Sequence, residues 1–146
     1  MSQSHALSQP FTFTADAGFL SGAAPLVARL LVAPLFLLSG VSKLSAPAAT
    51  IGMIEASGLP FAVLGFAAAV LVEVAGGLAL VAGYRTRLVA AALALFTLVT
   101  AVTFHSNLAD QSQFFHFFKN VSIAGGLLQI MAFGAGRFAL DAYRRR

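Results

Sequence analysis

Long apolar segments alternate with short polar stretches along the chain. Each segment approaches the ~20 residues that a helix needs to cross a hydrocarbon core of ~30 Å. Lipid offers no partners for unpaired backbone groups, so these segments are predicted to be helices. Short connections make neighbouring helices antiparallel. The predicted helices span about 24–44, 61–82, 88–104 and 114–133.

The composition supports the same fold class, an all-α integral membrane protein. Hydrophobic residues make up 59% of the 146 residues and charged residues 10%, whereas soluble domains carry about 25% charged residues. The mean hydropathy is +0.88. A chain this small could not bury so much apolar surface in water, which excludes a soluble domain and also intrinsic disorder. The net charge of +4 therefore indicates orientation in an anionic bilayer, not nucleic-acid binding.

The basic residues predict the orientation of a four-helix bundle. Arg85 and Arg87 lie between the second and third helices, and Arg137 and residues 144–146 follow the fourth. The connection 105–113 contains no Lys or Arg. By the positive-inside rule, both termini and the arginine turn are cytoplasmic.

The same pattern predicts the domain organisation. Residues 1–23 are expected to be a cytoplasmic tail, 24–142 a transmembrane domain, and 143–146 a basic tail. A cleaved signal in the first apolar segment is the alternative, but the polar leader and Lys43 argue against it.

Charged residues inside the predicted helices mark candidate sites because they are costly in a bilayer. Glu73 lies near the middle of the second helix and needs a cation or a proton. It could form a structural ion pair with Arg29, or it could handle protons. One face of the first helix is predicted to point into the bundle because of its helical spacing. That face carries Arg29, Ala33, Phe36, Gly40 and Lys43.

Polar residues of three helices are predicted to converge near the outer leaflet as a ligand-binding cluster. Such a cluster could hydrogen-bond the carbonyls of a quinone-like head group, and His105 could exchange protons. An interfacial rim is the alternative, with Lys43 snorkelling to the surface. The predicted ligand-binding residues are Lys43, His105, Lys119 and Asn120, with His116 and Asp110 joining from the loop.

The fourth helix carries two further patterns. Its polar stripe of Lys119, Ser122, Gly126 and Gln129 is predicted to face protein or a cavity. The segment 124–127, Ala-Gly-Gly-Leu, repeats segment 75–78 of the second helix. A tandem duplication and the general abundance of small residues in membrane helices both explain the repeat.

Cofactor signatures are few. The chain has no cysteine, which excludes disulfides, thiol redox pairs, iron–sulfur ligation and cysteine zinc sites. His105 and His116 flank one loop, so neither haem nor another metal is expected, and a quinone is the candidate cofactor. No nucleotide-binding glycine motif follows a strand.

These residues resemble the DoxX family of small four-helix bacterial inner-membrane proteins, over about residues 25–142. The resemblance implies a membrane subunit of a quinone-linked oxidoreductase that receives electrons from a redox-protein partner. It also implies that Arg29, Lys43, Glu73, His105, Lys119 and Asn120 match recurring polar positions of the family. The matching segments are Arg29, 40–44, 58–60, Glu73 with 76–78, Gly83 with 86–87, 104–105, 118–120, 124–128 and 140–141.

Two other functions fit the same sequence. A non-catalytic partner would anchor or assemble other proteins through its glycine-rich helix faces, in some cases as a homo-oligomer. A small carrier would need an oligomer, because four helices leave little room for a path within one chain.

Overall fold

Long helices make up most of the chain in a computed structural model, which describes residues 18–144. The predicted N-terminal tail lies almost wholly outside the described residues, as do the last two arginines. A π-helical turn, Phe19–Ala23, leads into the first α-helix. The helices are α1 Ala24–Ser45, α2 Pro47–Ala56, α3 Ala62–Ala82, α4 Thr86–Phe104, α5 Gln111–Phe133 and α6 Leu140–Tyr143.

The all-helical prediction is confirmed for the described residues. Three of their helices, α1, α3 and α4, are long and apolar enough to cross a membrane. The 23-residue α5 is also long enough, but its first half is rich in Gln, His, Lys and Asn, which lower its hydropathy.

Helix α2 is absent from the sequence prediction, which left residues 45–60 as a connection. Pro47 begins this helix at a position where a missing backbone N–H costs nothing. Ala48 and Ala49 then favour helix propagation. Its 10 residues are too few to span a bilayer, so a search for long apolar segments does not find it.

Two helix starts also differ from the prediction, and caps explain both. Asp110 accepts a hydrogen bond from the Gln113 N–H at 2.9 Å, so α5 begins at Gln111 instead of residue 114. Helix α4 begins at Thr86 instead of residue 88 because the backbone N–H groups of Arg85 and Thr86 donate to the carboxylate of Asp141.

The core lies between the four long helices. Helix α1 packs mainly on α3 and α4 mainly on α5, with α3 joining the two pairs. The predicted inward face of α1 is confirmed, since Arg29, Ala33, Phe36 and Gly40 are buried. A Cβ at Gly40 would lie 2.6 Å from Val74 Cγ2, so glycine allows α1 and α3 to approach closely.

Ser122, Gly126 and Gln129 of the predicted polar stripe on α5 are exposed and do not line the cavity within the chain. That the stripe faces another protein stays a prediction. The apolar residues Ala124, Leu127 and Ile130 occupy the core instead. Because lipid is as apolar as these side chains, their close packing against the neighbouring helices and not the hydrophobic effect favours this rotation.

Candidate functional site

A partly buried ion pair joins α1 to α3. Lys43 Nζ donates to Glu73 Oε1 at 2.8 Å. Ser39 Oγ donates to the same oxygen at 3.0 Å and accepts from Lys43 Nζ at 2.8 Å. Ser39 was not predicted, although it lies one helical turn before Lys43 on the same face. The pair places a compensated charge between α1 and α3.

The predicted pairing of Glu73 with Arg29 is corrected by this geometry. Arg29 lies near the start of α1 and reaches the end of α3, whereas Glu73 lies midway along α3, beside the second half of α1. Lys43 therefore supplies its cation. The sequence placed both cations on one helix face but did not determine the register between α1 and α3.

One carboxylate oxygen of Glu73 remains available. Glu73 is 4% exposed, and its Oε2 atom is buried with no hydrogen-bond partner among the described residues. A buried polar atom without a partner costs free energy. Because Glu73 lies on the wall of a cavity, a ligand carrying a donor group would relieve that cost.

The cavity has a volume of about 390 Å³, within the range of small-molecule sites. Its walls are mainly apolar and come from α1 to α5, and the short helix α2 contributes Thr50, Met53 and Ile54. The predicted ligand-binding residues Lys43, His105, Lys119 and Asn120 all lie on its wall, together with Glu73.

Two histidines connect α4 to α5 at one end of the cavity, which we call the histidine end. His105 Nδ1 lies 2.7 Å from Gln113 Oε1. An amide oxygen only accepts, so Nδ1 carries the proton, and in the neutral ring Nε2 is an acceptor. The His105 and His116 rings stack with centroids 5.0 Å apart, and Lys119 Nζ lies 3.2 Å from His116 Nδ1.

The remaining predicted members of the cluster lie elsewhere. His116 takes part only through its contacts with His105 and Lys119. Asp110 caps α5. No group of three or more His, Asp or Glu side chains that could hold a metal ion is found among residues 18–144.

Arg29 closes the opposite end of the bundle. Its side chain is fully buried. Nη1 donates to the Leu80 and Val81 carbonyls at 3.0 and 2.9 Å. Nη2 donates to the Phe138 carbonyl at 2.6 Å. The last carbonyls of a helix lack intrahelical partners and carry partial negative charge, which a guanidinium neutralises.

Asp141 holds the turn between α3 and α4. Gly83 ends α3 with a φ of 68°, a left-handed conformation typical of glycine at this position. Asp141 then accepts from the backbone N–H groups of Arg85 and Thr86 at 2.7 and 2.8 Å. The carboxylate therefore caps α4 from 55 residues away. Sequence reasoning missed this role because the cap is not adjacent to the helix it serves.

Three helices that are long and apolar enough to cross a membrane, packed around a partly buried ion pair and a cavity, are typical of a multi-pass helical membrane protein. The DoxX family model matches residues 24–106. The chain is 40% identical over 116 residues to "Inner membrane protein YqjF" of Escherichia coli (strain K12), which covers 80% of this chain and 88% of YqjF. It is 33% identical over 121 residues to "Inner membrane protein YphA" of the same organism, which covers 80% of this chain and 86% of YphA.

The chain belongs to the DoxX family, and the resemblance read from the sequence is confirmed. It is a multi-pass protein of the bacterial inner membrane. The family match ends at residue 106, before Lys119 and Asn120. No solved structure matches the chain significantly.

Proposed function

We propose that this DoxX-family protein binds the polar ring of a lipophilic, quinone-like molecule in the cavity between its helices. The observation that carries the proposal is the unpartnered Glu73 Oε2 on the wall of a mainly apolar cavity. Lys119 and Asn120 supply hydrogen-bond donors for ring carbonyls, and the apolar walls suit the ring and its tail.

Proton handling follows from the same arrangement. Glu73 Oε2 is an acceptor for a ring hydroxyl, and Lys43 with Ser39 stabilises the carboxylate on its other oxygen. His105 Nε2 is a second acceptor. A redox-protein partner supplies or removes the electrons, because the chain has no cysteine to carry them.

The proposal includes the topology. Helix α5 is a fourth span, both termini are cytoplasmic, and residues 24–142 form the membrane domain between tails 1–23 and 143–146. The arginines after α3 and α5 support this orientation.

The test is the quinone content of the full chain, purified from native membranes in mild detergent and measured by mass spectrometry. We expect near-stoichiometric quinone in the wild type and at least a tenfold loss in Glu73→Gln and Lys119→Ala. Glu55→Gln is the matched control, because Glu55 is an exposed carboxylate on α2. Quinone at lipid background in the wild type, or equal quinone in all variants, would refute the proposal.

A non-catalytic assembly role is the second candidate, favoured by the outward face of α5. A Cβ at Gly125 or Gly126 would meet nothing within 4 Å, whereas one at Gly76 would lie 3.0 Å from Leu93 Cδ2. The α5 glycines are thus not used for packing within the chain. Gly126→Leu should weaken association without unfolding the bundle, as measured by cross-linking in membranes. Unchanged complexes would count against this role.

A further inference from the structure

Positive charge accumulates at the end of the bundle opposite the histidines. This arginine end consists of residues 83–87 and 134–144. It carries four exposed arginines, namely Arg85, Arg87, Arg137 and Arg144. Asp141 is the only acidic residue in these two segments, and its oxygens accept from the backbone N–H groups of Arg85 and Thr86. Four exposed arginines thus share a single carboxylate in these two segments.

Two of these guanidiniums lie at the same aromatic ring. Arg144 Cζ lies 5.4 Å and Arg85 Cζ 5.9 Å from the centroid of Tyr84. The hydrogen bond with Arg144 and the charges of both arginines hold the pKa of Tyr84 below its ordinary value. Two like charges at one ring favour an anion nearby, because an anion lowers the electrostatic energy of both.

A third guanidinium borders a cavity on the same end. Arg137 Cζ lies 4.7 Å from the Phe138 ring centroid. A cavity of about 380 Å³ is lined by Arg137, Phe138, Ala142 and Tyr143. Arg137 Nε lies against Gly22, which leaves the two terminal nitrogens of the guanidinium for bidentate contact with phosphate. The Phe138 carbonyl is itself held by Arg29, which anchors this wall of the cavity.

Exposed apolar side chains alternate with the arginines. Phe133 is 79% exposed and Tyr143 is 71% exposed, and Phe138 and Leu140 are about half exposed. Phe133 ends α5 and the other three residues follow it, on the side of the bundle where Arg29 links the start of α1 to the end of α3. Arginine next to exposed aromatic residues suits a molecule with both a phosphate and acyl chains.

We propose that the arginine end binds the phosphate of an anionic phospholipid through Arg137 and Arg144, with the lipid chains against Phe138 and Tyr143. The site is separate from the cavity at Glu73 and independent of any ligand there. The bound lipid bridges the C-terminal segment and the α3–α4 turn.

The test uses the delipidated full chain in detergent, titrated with phosphatidylglycerol or phosphatidylcholine, with bound lipids counted by native mass spectrometry. We expect retention of phosphatidylglycerol and a roughly thirty-fold weaker affinity in Arg137→Gln/Arg144→Gln, because each arginine near a lipid head group contributes about 1 kcal/mol. Thermal unfolding of each variant checks the fold.

A charge-conserving control separates a defined site from general attraction. Arg137→Lys/Arg144→Lys keeps the charge but loses the bidentate geometry, so we expect it to weaken binding as well. Wild-type affinity in this variant would overturn the proposal, as would equal binding of phosphatidylcholine. Displacement of the lipid by millimolar inorganic phosphate would identify a site for the free anion and would also overturn it.

Discussion

Removing Lys43 while keeping Glu73 tests the ion pair between α1 and α3. At 2.8 Å, the Coulomb attraction is about 6 kcal/mol for an effective dielectric constant of about 20, and desolvation of both groups offsets much of it. Breaking one partner of a buried pair costs about 3–5 kcal/mol. Because the Lys43 side chain is 25% exposed, we expect Lys43→Met to lower the free energy of unfolding by about 2–3 kcal/mol.

A double-mutant cycle isolates the interaction. Glu73→Gln leaves Lys43 free to reach solvent, so we expect a smaller loss of about 1 kcal/mol. The double variant Lys43→Met/Glu73→Gln has no unpaired charge. Its loss in free energy of unfolding should therefore be smaller than the sum of the two single losses by about 2 kcal/mol. Unfolding in mixed micelles titrated with denaturing detergent measures all four proteins. Losses that add within about 0.5 kcal/mol would refute the reasoning.

Three further predictions concern packing and capping. Arg29→Lys should lower the free energy of unfolding by about 2 kcal/mol, because one ammonium cannot replace a guanidinium that donates to three carbonyls. Thermal unfolding measures the loss, and an unchanged midpoint would contradict the prediction. Asp141→Ala should lower the free energy of unfolding by about 1–2 kcal/mol and speed amide hydrogen exchange in the first turn of α4. Exchange rates equal to those of the wild type would show that Asp141 does not cap the helix. Gly40→Ala should lower the free energy of unfolding by about 1–3 kcal/mol, because the added methyl group overlaps Val74. Gly126→Ala, with open space around it, should be neutral or stabilising. Equal losses in both variants would contradict the close packing at Gly40.

The cavity illustrates how far side-chain chemistry can be inferred from spacing. The positions of the polar residues along three helices were enough to predict that Lys43, His105, Lys119 and Asn120 lie close together. The distance of each residue from its helix end fixes its depth in the bundle, and all four line one cavity. The same argument failed for the partner of Glu73. Arg29 and Lys43 share a face of α1, and only the register between α1 and α3 decides which of them reaches the carboxylate.

The sequence by itself determined the class of protein, the four long helices and the buried face of α1. These features depend on hydropathy and helical periodicity, which are properties of each segment alone and do not depend on the other segments. Tertiary structure alone decided the Lys43–Glu73 pair, the rotation of α5 and the capping of α4 by Asp141. Each of these depends on how two segments far apart in the chain meet, and that is set by the packing of all the helices together.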